Sequence, residues 1–130
     1  MIDYLFSGSG RLSRGQFWFS ALFYIVGALI VAAILALLWQ IIPGERSDDG
    51  NISVSGVRAI PYLVVIFGYF IVFTWSGICI GIKRFHDRGK SGLWVLIQFV
   101  PLVGSLWYLI ETGFLRGTPG PNAYGPETGR

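Results

Sequence analysis

"FWFSALFYIVGALIVAAILALLWQII", residues 17–42, contains no charged side chain, and this run decides the kind of fold. About 20 apolar residues in a helix cross a bilayer core of roughly 30 Å, so a tilted helix over 17–42 is long enough to span one. A cleaved export signal has a shorter apolar region, about 7 to 15 residues, followed by small residues at the cleavage site. Here the bulky "LLWQIIP" follows, and the segment reads as a permanent span. Its start is marked by Ser13-Arg14-Gly15-Gln16, a capping-box spacing in which the serine and glutamine side chains satisfy each other's backbone N–H groups. The helix is therefore expected to begin near Arg14 and to end before Pro43-Gly44.

Working outward, "ERSDDGNISVSGVR" (45–58) is polar, of mixed charge and without helical period, and reads as a loop. Residues 59–82, "AIPYLVVIFGYFIVFTWSGICIGI", are again free of charge, with Pro61 in the first turn, where its missing N–H costs least. That is a second span. A third apolar stretch, "LWVLIQFVPLVGSLWYLI", opens the segment 93–114 and carries Pro101 and Gly104 near its centre, with Ser91 placed as its N-cap. It takes one of two shapes: a kinked helix that crosses, or a break at "PLVG" that returns the chain to the side it left. Three crossings is the favoured count. Glu111 then falls at the far interface, and the tail, 115–130, with its three X-Pro turns, is irregular.

Composition agrees. Of 130 residues, 53% are hydrophobic and 13% charged, more apolar surface than a globule of this size can hide, so lipid must solvate part of it. The net charge of +3 is modest and the basic residues are clustered, unlike a nucleic-acid-binding stripe. Cys79 lies alone in an apolar run, and no cysteine–histidine set suggests a metal or cofactor. The fold class is thus all-α: a polytopic integral membrane protein of one domain with three transmembrane helices, the third kinked or re-entrant at Pro101.

Charge asymmetry sets the orientation. Arg11, Arg14, Lys83, Arg84, Arg88 and Lys90 fall on one side, and Arg46 and Arg58 on the other with Glu45, Asp48 and Asp49. The side richer in Lys and Arg is cytoplasmic, which puts the amino terminus and "KRFHDRGKSG" (83–92) there. If the third segment crosses, Arg116 and Arg130 lie outside; if it re-enters, they join the basic side. Helices in lipid hold together by close packing at small residues. Ala28, Ala32 and Ala36 recur every four positions, and Gly77 and Gly81 form a GxxxG. In an antiparallel pair, residues at equal depth have numbers that sum to about 100, which sets Gly68 against Ala32 and brings Gly77 and Gly81 near Phe23 and Ser20; a homodimer seam at the GxxxG is the rival. Phe17, Trp18, Trp39, Tyr62, Trp94, Trp107 and Tyr108 gather where an interfacial aromatic belt would stand.

"SGRLSRGQFWF", "IKRFHDRGKSGLW" and "GTPGPNAYGP" together resemble, in order and spacing, the bacterial inner-membrane family catalogued as domain of unknown function 805, from about Phe6 to Pro126. The central block, with Arg84, His86, Asp87, Ser91, Gly92 and Trp94 in register, is the most specific. The resemblance implies a place in the bacterial inner (cytoplasmic) membrane and a multi-pass architecture; it carries no established activity, and so no catalytic residues. The chain departs from the family at Gly15-Gln16, where Lys or Arg and Glu are common, and in its long first loop.

His86 beside Asp87 invites an acid/base reading, but neighbours on a helix point about 100° apart and meet only in a turn. No nucleophile or zinc motif accompanies them. The expected role is structural or interactive: Arg11, Arg14, Arg84, His86, Asp87, Arg88 and Lys90 form a basic face for anionic phospholipid or a membrane protein partner, at on the order of 1 kcal/mol per cation. A small enzyme or transport subunit using His86 and Asp87 is the alternative. Either way, Asp87 is expected to pair with an arginine of the loop or the amino-terminal block.

Overall fold

The computed structural model describes residues 1–128; Arg130, placed above by sidedness alone, lies outside the described residues. A short helix α1 (Ile2–Phe6) precedes α2 (Arg14–Ile41), and α3 (Ile60–Asp87) follows a one-turn 3-10 helix, Gly56–Ala59. Two helices, Arg14–Ile41 and the continuous Gly56–Asp87, are long and apolar enough to cross a membrane. The start of α2 is as the capping box requires: Ser13 Oγ accepts from the Gln16 backbone N–H at 3.3 Å, and Gln16 Oε1 from that of Ser13 at 3.0 Å. Between α2 and α3 the polar loop contains a small antiparallel ribbon, β1 (Glu45–Arg46) and β2 (Ile52–Ser53). At its turn, hydrogen bonds from the Ser47 hydroxyl and from Asn51 hold the exposed Asp49 carboxyl below its ordinary pKa.

The third apolar segment forms no continuous helix, which corrects the kinked-span expectation. It consists of a 3-10 arm, Gly92–Phe99, then α4 (Val103–Leu109), then a π-helical turn, Ile110–Phe114. Pro101 has no N–H to offer the Ile97 carbonyl, and its ring would clash with it; that carbonyl accepts instead from Val100 at 3.0 Å. The chain reverses in a γ-turn centred on Leu102 (φ 62°, ψ −68°), closed by Val103 N–H to Pro101 C=O at 2.8 Å. The arms meet where Ser105 Oγ donates to the Gln98 carbonyl and where Gly104 has no room for a Cβ beside the Ile97 carbonyl. Ser91 caps the first arm, accepting from Leu93 N–H.

The chain divides into two compact units, Tyr24–Phe73 and Met1–Phe23 together with the chain from Thr74 onward. In Tyr24–Phe73, the less exposed positions on α2 are Tyr24, Gly27, Val31, Leu35 and Leu38, a helical stripe. The Tyr69 ring covers Gly27, and its hydroxyl donates to the Tyr24 carbonyl at 3.0 Å; Tyr62 donates to Ile42 C=O at 2.8 Å. These partners sit near the antiparallel depth expected, but through other residues. Ala28, Ala32, Ala36 and Gly68 are exposed, and a Cβ at Gly68 would meet nothing within 4 Å. Tyrosine hydroxyls reaching carbonyls, one of them over Gly27, make this contact.

In the other unit, Gly77 is likewise open, while a Cβ on Gly81 would press against Val95 and the Tyr108 hydroxyl. The small residue at 81 thus admits Val95 and Tyr108 of the hairpin. Leu5, Leu12 and Ile80 form the apolar centre, with Tyr4 and Phe17 packed on it.

Candidate functional site

Above that apolar centre, the last turn of α3 brings its charged residues among chain ends rich in unpaired carbonyls. The last four C=O groups of any helix lack an intrahelical partner, and cationic side chains can supply donors. Lys83 does so for α1, its ammonium donating to Asp3 and Tyr4 carbonyls at 2.6 and 2.9 Å. Arg84, 0% exposed, donates to Thr112 and Leu115 at the end of the third segment, at 2.6 and 2.9 Å, and to Leu12 at 2.9 Å. Arg11 donates to Thr118 and Gly120 in the tail, both at 2.7 Å.

Asp87 supplies the countercharge. Its Oδ1 accepts from Arg11 Nε at 2.9 Å and from the Thr128 hydroxyl at 2.7 Å, and Oδ2 from Arg84 at 2.8 Å. The arginine pairing expected of Asp87 is therefore present, with one partner from each block. Its main-chain carbonyl accepts from the Thr118 N–H and hydroxyl, and Gly117 passes so close that a Cβ would overlap the carboxylate. Taking charges out of water is costly unless every donor and acceptor is met; here, among the described residues, no buried side-chain nitrogen or oxygen lacks a partner.

His86 looks the other way. Its Nδ1 lies 3.1 Å from the Gly10 carbonyl, which can only accept, so this nitrogen carries the hydrogen. The ring stacks on Tyr124, centroids 3.9 Å apart and planes within 4°, and Asn122 Nδ2 donates to the His86 carbonyl. His86 and Asp87 thus have separate partners and do not form an acid/base pair. The tail, expected to be irregular, is so in backbone, yet its Thr118, Asn122, Tyr124 and Thr128 are tied to α3.

Glu111 is a correction. Expected at a far interface, it is 6% exposed and bound at both oxygens, by Arg88 Nε and by Lys90 Nζ at 2.5 Å. Lys90 also lies 5.1 Å from the centre of the Trp94 ring. Residues just before the third segment, Arg88 and Lys90, therefore meet Glu111 near its end. Arg14 donates to the Phe114 carbonyl at 3.2 Å. The seven residues expected to form one basic face thus divide: Arg11, Arg84 and Asp87 are internal, His86 is stacked, and Arg14, Arg88 and Lys90 reach the surface, with Arg116 beside them. Sequence reasoning missed Glu111, Gly117, Thr118, Asn122 and Tyr124; the turn-rich "GTPGPNAYGP", with a tyrosine among its prolines, was the available signal. No group of three His, Cys, Asp or Glu is placed to hold a metal ion among the described residues.

The chain is similar to known proteins over nearly its whole length. "Inner membrane protein YhaI" of Escherichia coli K12 is 32% identical over 120 residues, covering 92% of this chain and 83% of that protein. "Uncharacterized protein YiiR" of the same organism is 24% identical over 150 aligned positions, covering 97% and 88%. No solved structure matches. The family described as "Protein of unknown function (DUF805)" matches over residues 5–126, from the core leucine of α1 to the last proline of the pinned tail, and the chain belongs to that family.

Proposed function

We propose that the chain is a binding component of the bacterial inner membrane, with α2 and α3 as its two crossings, the third segment re-entrant, and the basic end in the cytoplasm, where its surface cations hold anionic phospholipid headgroups. The observation that carries this reading is the division of the charge. Arg11, Lys83 and Arg84 are turned inward onto carbonyls and Asp87, while Arg14, at the start of α2, and Arg88, Lys90 and Arg116, which follow α3 in sequence, remain at the surface. Surface cations next to a membrane attract anionic lipid. With the third segment re-entrant, Arg116 joins the basic side and strengthens the bias that sets sidedness.

The γ-turn supports re-entry. In hydrocarbon an unpaired backbone group costs several kcal/mol. Pro101 has no N–H, and those of Val100, Val103 and Gly104 find carbonyls within the turn, which leaves one N–H, that of Leu102 at the tip, without a carbonyl there. Leu102, 90% exposed at the tip, presents an apolar side chain to lipid.

One preparation tests both parts. A carboxy-terminal reporter fusion should be active only on the cytoplasmic side, with a second reporter inserted at 48–51 active only outside. Native mass spectrometry of the extracted protein should show phosphatidylglycerol retained over phosphatidylethanolamine. A tail reporter active outside overturns the topology, and equal retention of the two lipids overturns the binding.

A further inference from the structure

Along the outer side of the returning arm runs a groove of about 310 Å³ lined by Trp107, Ile110, Glu111 and Leu115. Three of these side chains are apolar, and the fourth carries its carboxylate to Arg88 and Lys90. We propose that this groove seats one acyl chain of an anionic phospholipid, with the lipid's phosphodiester held at its mouth by Lys90 and Arg88.

This deepens, and rests on, the lipid-binding reading above. Two cations meet one carboxylate at the mouth, leaving a positive excess, and Arg88 is held in place there by donating from Nη1 to the Arg116 main-chain carbonyl at 2.6 Å. An ammonium has three donors, and Lys90 uses one on Glu111 while its side chain stays 30% exposed. Trp94 beneath Lys90 and Trp107 along the groove are both about half exposed, as amphipathic rings at a headgroup boundary are. The charge selects the occupant. A zwitterionic lipid would bring its own ammonium to a cationic mouth, and an apolar peptide would leave the excess charge unanswered, whereas a phosphodiester with a neutral glycerol headgroup answers it and its acyl chain matches the walls.

The test uses the full chain in mild detergent, exchanged into phosphatidylglycerol or phosphatidylethanolamine and read by native mass spectrometry, with helicity and monodispersity checked for each variant. The wild type should hold one phosphatidylglycerol on the order of ten-fold more strongly than phosphatidylethanolamine, about 1.4 kcal/mol. Ile110→Trp and Leu115→Trp, which fill the groove from different positions, should each remove that adduct, and Lys90→Gln should reduce the preference for phosphatidylglycerol several-fold. Adducts persisting at wild-type level in both folded tryptophan variants overturn the groove alone. A wild type that shows no preference overturns the groove and the lipid-binding reading together. Should one tryptophan variant not fold, the other decides, and loss of the quenching of Trp107 by a bromine-labelled phosphatidylglycerol in Trp107→Phe supplies a measure without groove filling. Quenching unchanged in Trp107→Phe also counts against the groove.

Discussion

Gly117 passes so close to Asp87 that a single added methyl group would stand inside the carboxylate. The tail can therefore close over α3 only with glycine at 117, and the ion cluster that joins the three sequence blocks depends on that contact. Gly117→Ala should displace either the tail or Asp87, and by either route it disturbs a buried ion pair. Breaking such a pair costs on the order of 3–5 kcal/mol, and the loss should appear as a lowered unfolding midpoint in mixed micelles. A wild-type midpoint would mean the tail is not held there.

Asp87→Asn tests the cluster from its centre. Arg11 and Arg84 would keep their carbonyl acceptors but lose the one countercharge they bind among the described residues, and an amide N–H₂ would face a guanidinium. The expected loss is again about 3–5 kcal/mol. His86→Gln removes one stack and one hydrogen bond, worth together on the order of 1–2 kcal/mol. The order of the two adjacent substitutions is the prediction, measured by the same unfolding assay. A larger loss at His86 would reverse the roles assigned here.

Much of this was legible beforehand, and the limit has a physical cause. Charge-free length marks the two long helices because lipid selects it locally, and the Ser13–Gln16 cap is a three-residue spacing. The pairing of Asp87 with an arginine was to be expected from the arginines around it in its own block and in the amino-terminal block. What sequence could not show was the direction of the cations. Arg84 points inward because carbonyls of Leu12, Thr112 and Leu115 are left unpaired at chain ends distant along the sequence, and backbone acceptors leave no mark on composition. The same holds for Glu111, whose partners arrive only when the hairpin closes.

Leu102 holds a positive φ at the hairpin tip. A left-handed conformation costs an L residue roughly 1–2 kcal/mol, while glycine there gives back about 0.5–1 kcal/mol in chain entropy. Leu102→Gly should leave stability level or raised by up to about 1 kcal/mol. Leu102→Val, β-branched, should lower it, because bulk at the Cβ tolerates this region least. A valine variant as stable as the wild type would count against the γ-turn.

Gly104→Ala acts on the same hairpin through its packing. The new methyl group would meet the Ile97 carbonyl, a backbone atom that cannot rotate away, and the Val100 side chain. The arms must then separate, at about 1–3 kcal/mol for overpacking. Separation should also raise proteolysis or deuterium uptake in residues 92–109, a local change that Gly117→Ala should not produce there.

Gly27 and Ala28 are neighbours with opposite expected tolerance. Gly27 lies under the Tyr69 ring, with 3.3 Å between the ring and the place of a Cβ, whereas Ala28 is exposed. Gly27→Leu should push Tyr69 off α2 and break its bond to the Tyr24 carbonyl, losing the hydrogen bond of about 0.6–1 kcal/mol together with the ring's packing. Ala28→Leu adds apolar surface where apolar surface already stands exposed and should be neutral. Adding Tyr69→Phe separates the contributions: alone it should cost only the hydrogen bond, and in the Gly27→Leu background almost nothing, because the bond is already gone. If Ala28→Leu is the damaging change and Gly27→Leu is not, the alanine ridge rather than the tyrosine contact packs these helices.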